Sequence, residues 1–592
     1  MKKYISMIMA CMALVSCVDT IILPDDKTVD EDFWKSKEDV ALMVNSAYAN
    51  LASEALITRL IIWGDFRSDE MVRSSALSGS IPDALDEIST INMQTTNTFA
   101  DWSSVYSVIN YCNIVLERAP EVMDQDPNYT QSDYEADRCQ MLALRSLCYF
   151  YLVRNFRDVP YVTQAYMNSS QDMQIPQSSP EYVIGQLIET LEQVSNNPNM
   201  LRSDGMATSE WRSVGWFRLD AVNALLADIY LWRASVMHNT ADYQKCIEYC
   251  DKVIASKKSQ HVRGRNEVVE KEFPLAEGNA AYTELFVNQN AEESIFEIQS
   301  TGNTGLCKYL FKYNNNNSTE GFIRASNIFG NGQLFPNGNL ATTAASSTDL
   351  RFYGACYTSS DDYYHIKKMV SQLPVNSKVA TARTNDRTYN SFDQNYIVYR
   401  LADVILMKAE AMVQLVNDIP EGMGDTEKAT ATQANSTLLQ GAFHLVQVIN
   451  TRSLYTDNLT DSMKWNTYRS YTKDQMEQLV LEERLKELCF EGKRWYDLLR
   501  YNYRHVNGVN YSQTYGEQMV AKGVEGINLV ENYEAMLNLA TRSKGADAPA
   551  VKAKMRNEAY LYMPIPNADI IVCPLLVQNP AYKTTGDFNK SY

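Results

Sequence analysis

The stretch ADRCQMLALRSLCYFYLVRNF, residues 136–156, limits this chain more than any other. Met141, Leu144, Cys148, Tyr151 and Leu152 recur at three- and four-residue steps. An α-helix gathers such residues on one face, whereas a strand would scatter them. SVYSVINYCNIVLERAP (104–120) has the same period and predicts a helix stopping at Pro120. FRLDAVNALLADIYLWRASV (217–236) is followed by TADYQKCIEYCDKVIAS (240–256). Ala224 and Ala227 let those two helices approach, and Tyr230, Tyr243, Tyr249 and Ile254 fill the space between them. A second pair is YIVYRLADVILMKAEAMVQLV (396–416) with LLQGAFHLVQVINTRS (438–453). One helix pair cannot bury its own apolar face, so repeated pairs predict a stacked, tetratricopeptide-like scaffold.

Residues 258–392 have another texture. Asn, Gly, Ser and Thr dominate, with aromatics interspersed, which favours turns over long helices. A structureless loop of that length is foreign to a compact domain. The expectation is therefore a mainly α fold: a helix-pair scaffold plus a loop-rich second lobe containing a few short strands. Residues 502–550 read as another loop-rich insert.

The N-terminus carries a different signal. Met1-Lys2-Lys3 precedes the apolar YISMIMACMALV, the layout of an export leader. That run is far shorter than the ~20 residues needed to cross a bilayer. Leu14-Val15-Ser16-Cys17 resembles a bacterial lipobox, in which the cysteine thiol is acylated and becomes the new N-terminus. This divides the chain into a signal peptide (1–16), a lipidated tether (17–30) and a folded part (31–592). Each buried methylene contributes about 0.8 kcal/mol, so one acyl chain holds marginally and two or three hold firmly. ALITRLIIW is interrupted by Arg59 and IIVCPLLV is short, so the expected membrane attachment is the lipid anchor alone.

The net charge is −18, and −20 once Lys2 and Lys3 leave with the leader. Such a surface repels nucleic acid and anionic lipid. Of eleven cysteines, Cys11 and Cys17 belong to the leader and anchor. The remainder are scattered. Cys139, Cys148, Cys246 and Cys250 fall at apolar helical positions, where a free thiol behaves as a small hydrophobe. No cysteine or histidine spacing matches a metal site, and no cofactor is expected.

The densest charge lies in QMEQLVLEERLKELCFEGKRWYDLLRY (475–501). Thr472 and Gln475 form a capping box for its helix. Glu483, Glu487 and Glu491 fall at four-residue steps, with Arg484 and Arg494 placed to bridge to them. Glycoside hydrolysis needs two carboxyl groups facing each other across an open cleft. Carboxylates on one helix among arginines, Phe490 and Trp495 instead predict a paired structural network. His238, His261, His365, His444 and His505 sit in no catalytic or metal motif, and no nucleophile elbow or P-loop occurs. The sequence offers no catalytic residue.

That charged stretch and YLYMPIPNADIIVCPLLVQNPAY (560–582) together resemble the SusD/RagB family of Bacteroidetes lipoproteins. WSSVYSVINYCNIVLE (102–117), ALRSLCYFYLVRNFRDVP (143–160), ESIFEIQ (293–299) and YRLADVILMKAEA (399–411) agree in order. Arg157 stands where the family often has glycine, and Cys489 where alanine is common. The resemblance implies four tetratricopeptide-like helix pairs. It also implies a lipoprotein on the outer face of the outer membrane. Such a protein captures an oligosaccharide, or sometimes a peptide, and hands it to a SusC-like TonB-dependent transporter without catalysis.

Capture of a sugar asks for flat apolar faces edged by polar groups. The chain holds 37 Tyr, 18 Phe and 8 Trp. Loops on a rigid scaffold are the expected location. GDFRSDEM (64–71) with INMQTTNTF (91–99) nominates Phe66, Arg67, Asn92 and Phe99. The Asn-rich lobe nominates Tyr309, Tyr313, Asn316, Phe322 and Tyr357.

Overall fold

The computed structural model describes residues 33–74, 79–168, 170–202, 210–265, 272–276, 278–300, 321–329, 334–335, 349–358, 364–366, 368, 394–454, 462–522 and 530–582. Helices of eight residues or more are α1 (Lys37–Leu51), α2 (Glu54–Ile61), α3 (Ser80–Ser89), α4 (Ser103–Met123), α5 (Gln131–Phe156), α6 (Pro180–Asn196), α7 (Leu219–Val236), α8 (Asp242–Arg265), α9 (Leu401–Gln414), α10 (Asp425–Arg452), α11 (Lys473–Leu488), α12 (Arg494–Arg504), α13 (Tyr515–Lys522), α14 (Glu534–Thr541) and α15 (Ala548–Met555). The strands are β1 (Met71–Arg73), β2 (Val159–Pro160), β3 (Gln177–Ser178), β4 (Ser294–Ile298), β5 (Ile323–Ala325), β6 (Cys356–Thr358), β7 (Tyr364–Ile366) and β8 (Tyr396–Arg400). They form antiparallel two-stranded ladders, β1–β5, β2–β3, β4–β8 and β6–β7.

The fold class is the expected one. Helix packs on helix in chain order from α4 through α10, with α1 against α4 and α11 against α9. Capping boxes open three of them: Ser36 with Asp39, Thr130 with Asp133, and Thr472 with Gln475. Each satisfies two amides that a helix N-terminus otherwise leaves unpaired. The nominated spacer residues fill the α7–α8 seam. Tyr230 and Tyr249 stack at 5.7 Å, and the Tyr243 hydroxyl meets Ser235 Oγ at 3.2 Å. One apolar cluster of buried side chains runs from Trp34 to Tyr582. Cys112, Cys139, Cys148, Cys246, Cys250, Cys356, Cys489 and Cys573 are free and buried within it or beside it.

Four boundaries differ from expectation. Pro120 lies inside α4, which continues to Met123 because Ala119 and Val122 still have core to bury. Residues 396–400 are strand rather than helix. All five are buried, and a short continuous apolar run does not distinguish a buried strand from a helix. Helix α11 stops at Leu488, so Glu491 and Arg494 do not share it with Glu483 and Glu487. The 502–550 insert carries α13 and α14. Arg157 closes α5 at φ 65°, in the left-handed region that favours glycine. Its buried guanidinium pairs with Asp158 and lies 4.1 Å from the Tyr515 ring centroid, which holds it there.

The reversal between α11 and α12 depends on glycine. Phe490 and Gly492 have φ of 64° and 73°. The turn presses on the wider helical turn Ile62–Phe66 that ends α2. A Cβ on Gly64 would overlap the Gly492 carbonyl, and one on Gly492 would overlap the Tyr396 hydroxyl. Gly492→Ala combines backbone strain with overpacking and is expected to cost about 3 kcal/mol. Gly185→Ala, in α6 with open space around it, should instead stabilise by about 1 kcal/mol. Urea unfolding of both variants checks this pair.

Candidate ligand face and buried ion network

Strand β8 delivers Arg400 to the centre of the molecule. Its guanidinium is 1% exposed. Nε donates to Glu491 Oε2 at 2.7 Å, Nη2 to Glu491 Oε1 at 2.8 Å, and Nη1 to Glu487 Oε1 at 2.6 Å and Glu293 Oε1 at 2.8 Å. Arg452, from the end of α10, also pairs with Glu487 and Glu293. Lys368 donates to Glu491 Oε1 at 2.7 Å, and Arg351 to Glu483 Oε1 at 2.7 Å and Glu487 Oε2 at 3.3 Å. A neighbouring cluster is built on α9, α11 and α12. There Arg484 binds Asp497 at 2.9 Å and Asp403 at 3.0 Å, and Arg500 grips Glu410 through two 2.8 Å bonds.

The predicted network therefore exists, with different partners. Arg484 serves Asp403 and Asp497, and Arg494 serves Asp69 at 2.9 Å. Glu483, Glu487 and Glu491 are paired by Arg351, Arg400, Arg452 and Lys368, none of which the sequence reading named. The missed signal was in YRLADVILMKAEA: Arg400, Asp403 and Glu410 open β8–α9 with charges in an otherwise buried run.

Burial alone would raise the carboxyl groups of Glu487, Asp403 and Glu483. At Glu487 it is outweighed by Arg452, Arg400 and Arg351, which hold the group below the usual carboxylate range. At Asp403, Lys493 and Arg484 outweigh burial and bring it to about 2. At Glu483 burial wins over Arg351 and the shift is upward. Asp65 and Glu70 behave oppositely to Glu487. Asp65 accepts from the amides of Gly492 at 2.7 Å and Lys493 at 3.2 Å, and Glu70 from that of Phe490 at 3.1 Å. Burial drives Asp65 up to about 7, and burial followed by the Asp65 charge drives Glu70 well above its normal range.

The nominated ligand residues divide sharply. Phe66 is 0% exposed and Phe99 5%, so both pack the core and present no ring to solvent. Arg67 is buried, donates to the Leu561 carbonyl at 2.5 Å and sits 4.5 Å from the Trp495 ring centroid. The wide turn 62–66 points Phe66 and Arg67 inward, and Phe99 lies against it with its carbonyl accepting from Trp63 Nε1 at 2.8 Å. Asn92 is exposed and accepts from Lys554 Nζ at 3.2 Å. Phe322 is half-buried. Tyr357 lies on β6 opposite His365. Tyr309, Tyr313, Asn316 and Cys17 lie outside the described residues.

The two nominated regions do meet. Strand β1 pairs with β5, Met71 facing Ala325 and Arg73 facing Ile323, and Ser74 N donates to Phe322 O at 2.9 Å. The β6–β7 hairpin lies beside β5. This brings Phe322 and the Tyr357 strand to one loop-built face on the helical scaffold. Among the described residues, no group of His, Cys, Asp and Glu has the arrangement of a metal site. No single described helix is long and apolar enough to cross a membrane. The bent pair Lys37–Leu51 and Glu54–Phe66 meets length and composition alone, and most of its second helix is core.

Together these features define a helix-repeat protein bearing a loop-built face. A model of the SusD family matches residues 308–582, and one described as starch-binding and associating with the outer membrane matches residues 23–231. The chain belongs to the SusD/RagB family. Among curated relatives, SusD-like protein P38 of Formosa agariphila is 24% identical over 558 residues, covering 85% of this chain and 92% of its own. SusD-like protein P2 of the same organism is 24% identical over 84% of this chain and 91% of its own. Among solved structures, the surface glycan-binding protein A of Bacteroides uniformis aligns with a TM-score of 0.61 at 18% identity, over 92% of this chain and 100% of that one. A SusD superfamily protein from Bacteroides vulgatus aligns at 0.63 and 16% identity, over 93% and 100%.

Removing Arg400 leaves Glu293, Glu487 and Glu491 under-neutralised in the interior. Arg400→Met is expected to cost about 3–5 kcal/mol in urea unfolding. The pH dependence has two opposed parts. Carboxyls held low in the fold, as at Glu487 and Asp403, contribute stability above the unfolded pKa of about 4 and lose it as pH falls further. Asp65, held high, binds its proton more tightly in the fold, so its contribution declines as pH rises from about 4 to about 7. Asp65→Asn should flatten that decline while leaving the acid limb intact, read from urea midpoints across pH.

Proposed function

We propose that this protein is a cell-surface lipoprotein that captures an oligosaccharide and delivers it to a SusC-like TonB-dependent transporter without chemical change. Cys17 carries the acyl chains, and the mature chain faces the cell exterior from the outer membrane. The reading is supported by the family, by one family model's description as starch-binding and outer-membrane-associated, and by a relative named as a surface glycan-binding protein. The observation that carries the non-catalytic part is the condition of the signature carboxylates. Glu483, Glu487 and Glu491 are each 3% exposed and held by cations, so no sugar reaches them. A glycosidase pair needs the opposite, an open cleft between two carboxyl groups.

The ligand face is assigned to the β1–β5 edge and the β6–β7 hairpin, with Phe322 beside β5 and Tyr357 on strand β6; Tyr309, Tyr313 and Asn316 are assigned to it from the sequence alone. Asn92 adds a polar group from the first nominated stretch. The net charge of −18 disfavours nucleic acid as a partner. A glycan and peptide array on the purified protein should show oligosaccharide retention with unchanged chain length by mass spectrometry. Phe322→Ala and Tyr357→Ala should each weaken retention about five- to tenfold, the loss of one stacking contact. Shortened glycans, or peptide retention alone, would overturn the reading. Cys17→Ser should abolish radiolabelled palmitate incorporation and release the chain from the membrane fraction.

A further inference from the structure

A second opening lies away from that face. Helices α11, α12 and α14 and the segment around Ile328 and Leu334 enclose a cleft of about 380 Å³. Its size falls at the low end of small-molecule sites. Leu481 and Leu485, at 6% and 2% exposure, form an apolar floor. Gln478 and Asn538 stand exposed at the rim, the Asn538 Oδ1 accepting from Lys552 Nζ at 2.6 Å.

The charge at the base is not balanced. Arg494 and Arg542 both close on one carboxylate, Asp69, at 2.9 and 2.6 Å. Arg494 Nη1 is spent on the Leu481 carbonyl at 3.3 Å. Arg542 binds Asp69 through Nε and Nη2, its side chain is 35% exposed, and its Nη1 has no partner among the described residues. Glu482 at the rim is matched by Lys486 at 2.6 Å. Two guanidinium groups against one aspartate leave one positive charge at an apolar, partly desolvated floor. There a bidentate or end-on carboxylate contact gains more than it would in water.

We propose that this cleft binds the carboxylate-bearing sugar unit of an acidic glycan. The ring's C–H face lies on Leu481 and Leu485, its hydroxyls meet the amides of Gln478 and Asn538, and its carboxylate meets Arg542. The assignment rests on the glycan-capture reading and adds to it a second, charge-selective site distinct from the β1–β5 face.

Saturation-transfer NMR and calorimetry with methyl β-D-glucuronide and methyl β-D-glucoside test it. The glucuronide should bind at least tenfold more tightly than the glucoside, with an affinity that falls as salt is raised. Arg542→Gln should reduce glucuronide affinity at least tenfold. Asn538→Asp changes an exposed side chain and so leaves the core intact. It should reduce glucuronide affinity at least tenfold and glucoside affinity by less, because only the glucuronide meets the added charge with a charge of its own. Equal binding of the two glycosides, or glucuronide binding unaltered in both variants, overturns the proposal. Retention of neutral oligosaccharide by the same preparation without glucuronide binding removes only the cleft. Loss of both removes the capture reading as well.

Discussion

The Arg400 guanidinium is the point on which the interior turns. It leaves water completely, a transfer that costs several kcal/mol before any partner is counted. Four bonds to three carboxylates offset that cost, and each carboxylate needs Arg400 or one of its neighbours in return. The partners come from distant parts of the chain: Glu293 before β4, Arg351 and Lys368 from the lobe, Arg452 from the end of α10, and Glu487 and Glu491 around the end of α11. Apolar packing would hold these segments near one another. Directional pairing fixes their registers, because a guanidinium shifted by one residue would strand several buried charges at once.

The same constraint explains the α11–α12 turn. Glu491 must point to Arg400 and Arg494 must point to Asp69, only three residues apart in sequence but in different directions. A continuous helix cannot do both. The chain breaks at Leu488, passes through left-handed backbone at Phe490 and Gly492, and is clamped there by Asp65 and Glu70. Burial raises both carboxyl groups of the clamp, which eases the repulsion between two acids set against one turn. The wide helical turn at 62–66 places Asp65 for this, and in doing so it turns Phe66 and Arg67 inward.

That geometry sets what could be read from the chain. Helical stripes such as 136–156 and 217–256 are local and periodic, so the scaffold was visible in the residues. The capping box at Thr472 was visible for the same reason, since its parts lie three residues apart. The ion partners were not, because Arg351 and Glu483 meet across 132 positions and no local pattern encodes that meeting. Phe66 and Phe99 were misplaced by a rule that is sound on average. Aromatics on polar stretches between helices belong to ligand faces when the backbone turns outward; here a wide helical turn directs Phe66 into the core, and Phe99 packs against that turn through Trp63. The five residues of β8 escaped because a fully buried strand shows no alternation.

Loops that are to serve as a ligand face have to stay in place without help from the ligand. In this chain the loops are attached through short ladders, β1–β5 and β6–β7, each of only three paired residues. Such ladders are marginal alone. They are supported from behind: Glu70, at the edge of β1, is fastened to the Phe490 amide, its carbonyl accepts from Ser326 N beside β5, and Lys368 beyond β7 is fastened to Glu491. The charged signature near residue 490 thus underlies the loop face from the opposite side. Its carboxylates Glu483, Glu487 and Glu491 are buried and held by cations. Their placement explains how the chain carries its densest charge in the interior and still keeps a loop face in register.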